Sequence, residues 1–201
     1  MVYYRCTDLS GEAHVNESDW IAGARQGDIG AWEALVRNHQ EAVFRLAFLF
    51  LADADEAKDT AQEAFVHAFR ALDRFDASRP LRPWLLRITA NLARNRLRSA
   101  GRYWAALQRL FWEQREPAVN VEEKSLQRQE AQELWQAMRR LNLADQQVIY
   151  LRYFLELPEA EMATALNIAP GTVKSRLHRA LNRLRAVVER EFPLLHKEPV
   201  P

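Results

Sequence analysis

The sequence predicts an all-α protein, and three observations support that prediction. The chain has only six glycines in 201 residues, and long runs of Ala, Leu, Arg, Glu and Gln favour helix. Apolar residues recur at steps of three and four, which is the period of an amphipathic helix. We find no segment with the strict apolar–polar alternation of a half-buried strand. The length allows one large domain or two small ones.

The distribution of charge divides the chain into four blocks of alternating sign. The formal net charge is +1, but residues 1–74 carry −6, 75–115 carry +7, 116–166 carry −4 and 167–201 carry +4. Charge separated in this way indicates two basic surfaces for a polyanion, each preceded by an acidic segment. Cys6 is the single cysteine, which excludes an intramolecular disulfide and a cysteine-based zinc site.

The N-terminal part predicts three helices after a polar arm. Residues 1–17 show no clear period, and a first helix is expected from about residue 18. Asp28 can cap a second helix whose apolar stripe runs for about six turns. That stripe contains His39, for which a core or boundary position is the expected role. Asp53 can cap a third helix, because its carboxylate can accept from the free N–H groups of the first turn.

A basic stretch follows, in which a loop at 75–82 leads into a fourth helix with Pro83 in its first turn. Eight arginines and no acid lie between Arg79 and Arg109. Aromatic residues and the amides of Asn91 and Asn95 are interleaved with them. This mixture suits single-stranded nucleic acid, where arginines meet phosphates and bases stack on rings. A core tryptophan beside solvated arginines would leave the same pattern, and this stretch alone leaves both interpretations open.

The C-terminal part predicts a helix-turn-helix over 157–192. A short apolar helix ends in turn residues at 167–171, and Thr172 can cap a second helix. On that helix the apolar residues form one stripe: Val173, Leu177, Ala180, Leu181 and Leu184. Its other faces are basic, with no acid before Glu189. We interpret the pair as a DNA-binding motif whose second helix enters the major groove, although an ordinary solvated basic face is the alternative.

Three segments together resemble one known family, the extracytoplasmic-function (ECF) sigma factors of bacterial RNA polymerase. The segment at 59–72, DTAQEAFVHAFRAL, resembles the helix that docks on the β′ clamp coiled coil. The segment at 83–98, PWLLRITANLARNRLR, resembles the helix that melts and reads the −10 promoter element. The segment at 171–185, GTVKSRLHRALNRLR, is similar to the −35 recognition helix. The resemblance covers about 20–102 and 134–188, with departures at Lys58, Leu81, Leu143, Gln146 and Pro158.

The resemblance implies five segments: an N-terminal arm at 1–17, sigma region 2 at 18–103, a flexible linker at 104–124, sigma region 4 at 125–192 and a tail at 193–201. It also implies three sets of contacts. The residues expected to bind core polymerase are Asp59, Gln62, Glu63 and Phe65. Those expected at the −10 element are Asp76, Ala77, Ser78, Arg79, Leu81, Trp84, Asn91, Arg94, Asn95 and Arg98. Those expected at the −35 element are Thr172, Lys174, Ser175, Arg176, His178, Arg179 and Arg183.

The expected partners are core RNA polymerase, through its β′ clamp coiled coil and β flap, promoter DNA and an anti-sigma factor. No cofactor, metal or small-molecule substrate is expected. The N-terminus lacks the features of a signal peptide, so we expect a cytoplasmic protein. An anti-sigma factor in the inner membrane would hold the protein at that membrane.

Two other functions compete with this interpretation. A stand-alone helix-turn-helix regulator would explain the C-terminal motif but not the segments at 59–72 and 83–98. An enzyme would need converging catalytic groups, whereas the five histidines are scattered and no nucleophile elbow or phosphate loop is apparent.

Overall fold

A computed structural model describes residues 17–110 and 126–192, and the side chains within 17–99 and 131–192. These residues form α-helices and no β-strand, as predicted. The N-terminal helices are α1 (Glu17–Arg25), α2 (Ile29–Leu51), α3 (Ala54–Ala71) and α4 (Leu81–Leu110), with a 3₁₀ turn at Leu72–Arg74 after α3. The C-terminal helices are α5 (Leu126–Arg140), α6 (Leu143–Ile149), α7 (Glu159–Leu166) and α8 (Pro170–Glu191), with a π-helical segment at Tyr150–Phe154 after α6.

Aspartate side chains cap α2 and α3, which confirms both predictions. The Asp28 carboxylate accepts from the backbone N–H of Gly30 at 2.8 Å. The Asp53 carboxylate accepts from the N–H groups of Asp55 at 3.0 Å and Glu56 at 2.9 Å. Each carboxylate satisfies donors that have no partner within the helix, and its charge suits the positive end of the helix dipole.

Helix α4 extends further than the sequence indicated. We expected region 2 to end at residue 103, but α4 continues through Gly101 to Leu110. A glycine within a helix interior costs about 1 kcal/mol relative to alanine, which does not by itself end a helix. The first residues assigned to the linker are therefore helical. The rest of the linker, at 111–124, residues 1–16 of the N-terminal arm and the C-terminal tail lie outside the described residues.

The first hydrophobic core is built from α1 to α4. Its most buried side chains include Ile21, Leu35, Val43 and Leu85. His39 of α2 is 5% exposed, which confirms its predicted core or boundary position.

The second hydrophobic core joins the N-terminal and C-terminal helices. Leu86, Ala90 and Ala93 of α4 lie in the same cluster as Met162 of α7 and Val173 of α8, and α4 packs directly against α7. The alanines on α4 let the two backbones approach closely. A hydrogen bond adds to this contact, because Arg82 Nη2 donates to the carbonyl oxygen of Leu155 at 2.9 Å. The helices of the predicted regions 2 and 4 therefore pack as one closed unit. None of the helices in the described ranges combines the length and the apolar character needed to span a bilayer.

This closed packing predicts the effect of a charge placed in the second core. Ala163 of α7 is 5% exposed and lines the groove between α7 and the start of α4. In an Ala163→Arg variant the guanidinium group would enter this contact beside Arg79 and Arg87, which line the same groove, so apolar packing is lost and like charges are brought together. We expect α4 and α7 to separate, so the radius of gyration from small-angle X-ray scattering should increase while helical circular dichroism is retained. Ala186→Arg, at an exposed position of α8, is the matched control. An unchanged radius in a helical Ala163→Arg protein would contradict the closed packing.

Candidate nucleic-acid interface

The residues that the sequence assigned to polymerase docking lie together on α3. Asp59 and Gln62 are exposed, whereas Glu63 and Phe65 are half-buried. Glu63 already has an intramolecular partner, because Arg96 Nη2 of α4 donates to its Oε2 at 2.9 Å. Arg96 Nη1 also contacts Glu56 Oε2 at 3.0 Å. Of these four residues, Glu63 is therefore held by an ion pair with α4.

An open groove of about 480 Å³ borders this face, between α2 and α3. Gln62 and Phe65 line it from α3. The sequence analysis did not assign the α2 side of the groove, which contributes Val36, Gln40, Glu41 and Phe44. Phe69 lies on the same helix as Gln62, is 50% exposed, and packs edge-to-face on Trp32 with ring centroids 5.1 Å apart. The surface is thus mostly apolar with a few polar groups.

The 76–80 loop precedes α4 and is exposed along its whole length. Asp76 organises it: the carboxylate accepts from the Ser78 backbone N–H at 3.1 Å and the Ser78 hydroxyl at 2.7 Å, and it contacts Arg79 Nε at 3.1 Å. The hydrogen bonds from Ser78, aided by the charge of Arg79, hold the pKa of Asp76 below its ordinary value. Of the predicted residues in this loop, Ala77 is also exposed. The loop is therefore a preformed turn.

Two predicted −10 residues lie elsewhere than expected. Leu81, the first residue of α4, is 1% exposed and packs in the first core. A leucine at the start of an amphipathic helix is buried with the apolar stripe of that helix, so the assignment of Leu81 to the −10 element stays a prediction. Trp84 is half-buried, with its ring centroid 4.8 Å from that of Phe75, so it combines a core contact with partial exposure.

The remaining −10 candidates form a polar strip along α4. Asn91, Asn95 and Arg98 are exposed and Arg94 is half-buried. Arg94 Nη2 donates to Asn91 Oδ1 at 2.5 Å, and Arg94 Nε donates to the carbonyl oxygen of Ala90 at 3.2 Å. Burial, and secondly the charge of Arg98, lower the pKa of Arg94. Asn91 and Arg94 thus form a coupled pair rather than two independent groups.

Helix α8 begins three residues earlier than predicted. Its first residue is Pro170 and its N-cap is Ala169, with no side-chain cap. The prediction that Thr172 caps this helix is wrong, because proline needs no N–H partner and its fixed φ already suits the first helical position. Thr172 instead lies within the first turn, where its carbonyl oxygen accepts from the Ser175 hydroxyl at 3.0 Å.

The predicted −35 residues lie mostly on the exposed side of α8. Lys174, Ser175, His178 and Arg179 are exposed, and Arg176 is half-buried. Val173 and Ala180 are fully buried and hold the helix against its neighbours. The first two turns of α8 thus present polar groups to solvent from a fixed support, as a recognition helix requires.

Arg183 differs from the other −35 candidates because it has a buried partner. Its Nη1 lies 2.9 Å and 2.7 Å from the two carboxylate oxygens of Asp145 in α6. Asp145 is 4% exposed and also accepts from Asn142 Nδ2 at 2.7 Å. A basic hollow of about 220 Å³ lies beside this ion pair, and Arg176 and Arg179 line it. Arg183 therefore joins α8 to α6.

Comparisons with known proteins agree with this arrangement. A family described as "Sigma-70 region 2" matches residues 35–103, and one described as "Sigma-70, region 4" matches residues 131–184. The ECF RNA polymerase sigma factor SigW of Bacillus subtilis is 31% identical over 173 residues, covering 82% of this chain and 92% of the relative. The RNA polymerase sigma-H factor of Pseudomonas aeruginosa is 32% identical over 185 residues, covering 88% and 94%. The chain belongs to the ECF sigma factors of RNA polymerase.

Solved structures show the same fold. CnrH in complex with the cytosolic domain of CnrY is 26% identical, with a TM-score of 0.63 over 87% of this chain and 98% of that chain. The sigma factor RpoE of Bartonella quintana, in complex with the anti-sigma factor NepR, is 22% identical, with a TM-score of 0.60 over 81% and 99%. Both likenesses support the fold.

Three polar residues of this sigma factor hold its candidate surfaces in place, and sequence reasoning did not single them out. Asp145 fixes α8 through Arg183. Glu17 and Arg25 of α1 contact the two ends of the segment that contains the 76–80 loop. A single sequence gave no signal for them, because their partners lie 38 to 64 residues away.

The ion pair between Arg183 and Asp145 predicts that an Arg183→Ala variant loses stability as well as any DNA contact. The substitution leaves a buried carboxylate with Asn142 as its remaining side-chain partner. We expect a loss of about 1–3 kcal/mol in the free energy of unfolding, at the lower end because the Arg183 side chain is 55% exposed. Urea unfolding followed by circular dichroism would measure it. Arg185→Ala, at an exposed position on the same helix, should change stability by less than about 0.5 kcal/mol, and equal losses would contradict the role of the pair.

Proposed function

We propose that this sigma factor binds core RNA polymerase through the α2–α3 face, captures −10 bases with the 76–80 loop and α4, and reads the −35 element with α8. The observation that carries the proposal is that the polar side of α8 is exposed while its apolar side is buried against neighbouring helices. Helix α4 adds a second basic surface, in a segment without acidic residues. Without chemistry of its own, the protein would stabilise the melted strand by holding flipped bases. A stand-alone regulator is not favoured, because it leaves the match to region 2 unexplained.

The proposed polymerase surface combines the side chains of Asp59, Gln62, Glu63 and Phe65 with the groove against α2. An apolar groove with a few polar groups suits the packing of a helical element such as the β′ clamp coiled coil. A second contact, by the region 4 helices on the β flap, is part of the same proposal. The proposed site of action is the cytoplasm.

An anti-sigma factor is a further proposed partner. The support is the structural likeness to CnrH, which was solved in complex with the cytosolic domain of CnrY. We propose that an anti-sigma factor holds this protein inactive. An anti-sigma factor located in the inner membrane would also hold the protein at that membrane.

The closed packing adds a condition to this function. The −10 and −35 elements are separated by about 25 base pairs, or about 85 Å of B-DNA at about 3.4 Å per base pair. In the structure, Arg79 of the −10 loop and Pro170 at the start of α8 line one groove of about 490 Å³. The closed form therefore cannot reach both elements, and we propose that α4 and α7 separate before the promoter is bound.

The docking proposal predicts a loss of core binding in Glu63→Arg. Reversing a charge in a desolvated contact with polymerase typically weakens binding by about 2–5 kcal/mol. The same substitution also breaks the ion pair with Arg96, so Arg96→Gln is the matched control: it removes that pair and keeps the Glu63 carboxylate. Titration of labelled sigma factor with core polymerase should show weak binding only for Glu63→Arg. Equal affinities for Glu63→Arg and the wild type would exclude Glu63 from the docking surface.

The −35 proposal predicts different effects for two exposed arginines of α8. Arg179 lies one turn beyond the first turn and can bond guanine through two atoms. Arg179→Ala should therefore relax the preference at one −35 position by about 1–3 kcal/mol. Arg185→Ala should weaken all promoters alike, since phosphate contacts carry no sequence information directly. Transcription by the holoenzyme on a randomised −35 library measures both, and matching preference profiles for the two variants would refute this assignment.

A further inference from the structure

The 76–80 loop lies between two buried residues, Phe75 and Leu81. The short helix α1 contacts the backbone of both. Upstream of the loop, Phe75 is 8% exposed, and downstream Leu81 is 1% exposed. Between them all five loop residues are exposed. The position of the loop therefore depends on what holds its two ends.

Arg25, at the C-terminal end of α1, holds the upstream end. Its Nε and Nη2 donate to the carbonyl oxygen of Leu72 at 3.1 Å and 3.0 Å. Its Nη2 also donates to the carbonyl oxygen of Phe75, the residue immediately before the loop. One guanidinium group thus joins the 3₁₀ turn after α3 to Phe75.

Glu17, at the N-terminal end of α1, holds the downstream end. Its Oε2 accepts from the backbone N–H of Leu81, the first residue of α4, at 3.2 Å. Its Oε1 lies 2.7 Å from Nε2 of the buried His39 in α2. The hydrogen bond with His39, followed by that with Leu81, lowers the pKa of Glu17 against the opposing effect of burial. The carboxylate therefore links α1, α2 and the start of α4.

Glu17 and Arg25 are separated by eight residues of one helix, which corresponds to about 12 Å at 1.5 Å per residue. Ile21 lies midway between them and is 1% exposed in the first core. Helix α1 is therefore anchored at its centre and contacts the two ends of the loop with its two terminal residues. A rigid element of this kind sets the distance between the ends.

We propose that α1 acts as a clip, and that Glu17 and Arg25 are positioning residues that determine −10 specificity by fixing the 76–80 loop. The proposal rests on the proposed function of that loop as a reader of the −10 element. A loop fixed at both ends presents Ser78 and Arg79 in one arrangement, so little conformational entropy is lost when a base enters. Released at one end, the loop would sample several arrangements and discriminate less between bases.

The experiment compares the full-length wild type with Arg25→Ala and Glu17→Ala, each with a control of equal charge change. Arg37→Ala and Glu33→Ala are those controls, because both residues are exposed on α2. Glu17→Gln is the conservative variant, since its amide oxygen can still accept from the Leu81 N–H. Ser78→Ala changes the loop directly. Each protein is assembled with core polymerase on promoters with a fixed −35 element and a randomised −10 element.

The measured quantity is the ratio of open complex formed on the preferred and the disfavoured −10 sequences. For Arg25→Ala and Glu17→Ala we expect this ratio to fall by about two- to tenfold, the range for losing one or two net hydrogen bonds. Glu17→Gln should recover most of it, and the two controls should match the wild type. Core affinity and −35 preference should stay unchanged in Arg25→Ala, Glu17→Ala and Glu17→Gln. A purely structural role would weaken core binding and both promoter preferences together.

The outcomes separate this proposal from the proposed function. If Ser78→Ala alters −10 preference while Arg25→Ala and Glu17→Ala do not, the clip is refuted and the loop assignment stands. If none of the three alters it, both are refuted. Amide hydrogen exchange of the free proteins gives an independent measurement: the amides of residues 76–79 should exchange faster in Arg25→Ala than in Arg37→Ala, with α2 and α3 unchanged. Equal exchange at 76–79 would also overturn the clip.

Discussion

The packing of α4 on two sides is the constraint on which the rest of the structure depends. Leu85 points into the first core and the adjacent Leu86 into the second, and α4 packs against α2, α3 and α7. Within residues 81–99, where the side chains of α4 are described, only a narrow strip that includes Asn91, Asn95 and Arg98 remains exposed. The candidate DNA-binding strip on α4 is thus defined by what the two cores leave uncovered.

Arginine content alone gives a poor measure of the surface available to DNA. Arg96 binds two carboxylates of α3, Arg183 binds Asp145, and Arg25 binds backbone carbonyl groups. The planar guanidinium group donates several hydrogen bonds at fixed angles, so it joins helices more effectively than lysine does. A basic segment therefore contains structural arginines as well as those that meet phosphate, and only the contacts distinguish the two.

The same features that support binding also maintain the closed form. Small residues on α4 allow α7 to approach, and Arg82 donates to Leu155 across the contact. The shared core is apolar, which makes the closed arrangement favourable in the absence of partners. In the opening that we propose, polymerase and promoter binding supply the free energy that separates the two sets of helices. A protein that reads two distant elements gains from this arrangement, because the open form is stabilised only by its partners.

The sequence by itself determined the helical fold class, the caps at Asp28 and Asp53, the buried place of His39 and the two basic segments. These properties depend on local periodicity and on residue type, which a single sequence displays directly. Tertiary structure alone decided that Leu81 is buried, that Arg183 pairs with Asp145, and that α4 continues past Gly101. It also decided that the two helical regions share a core and that α1 contacts both ends of the loop. The physical reason is that each of these depends on contacts between residues far apart in the chain, or on packing that outweighs a local preference, and neither leaves a periodic signal.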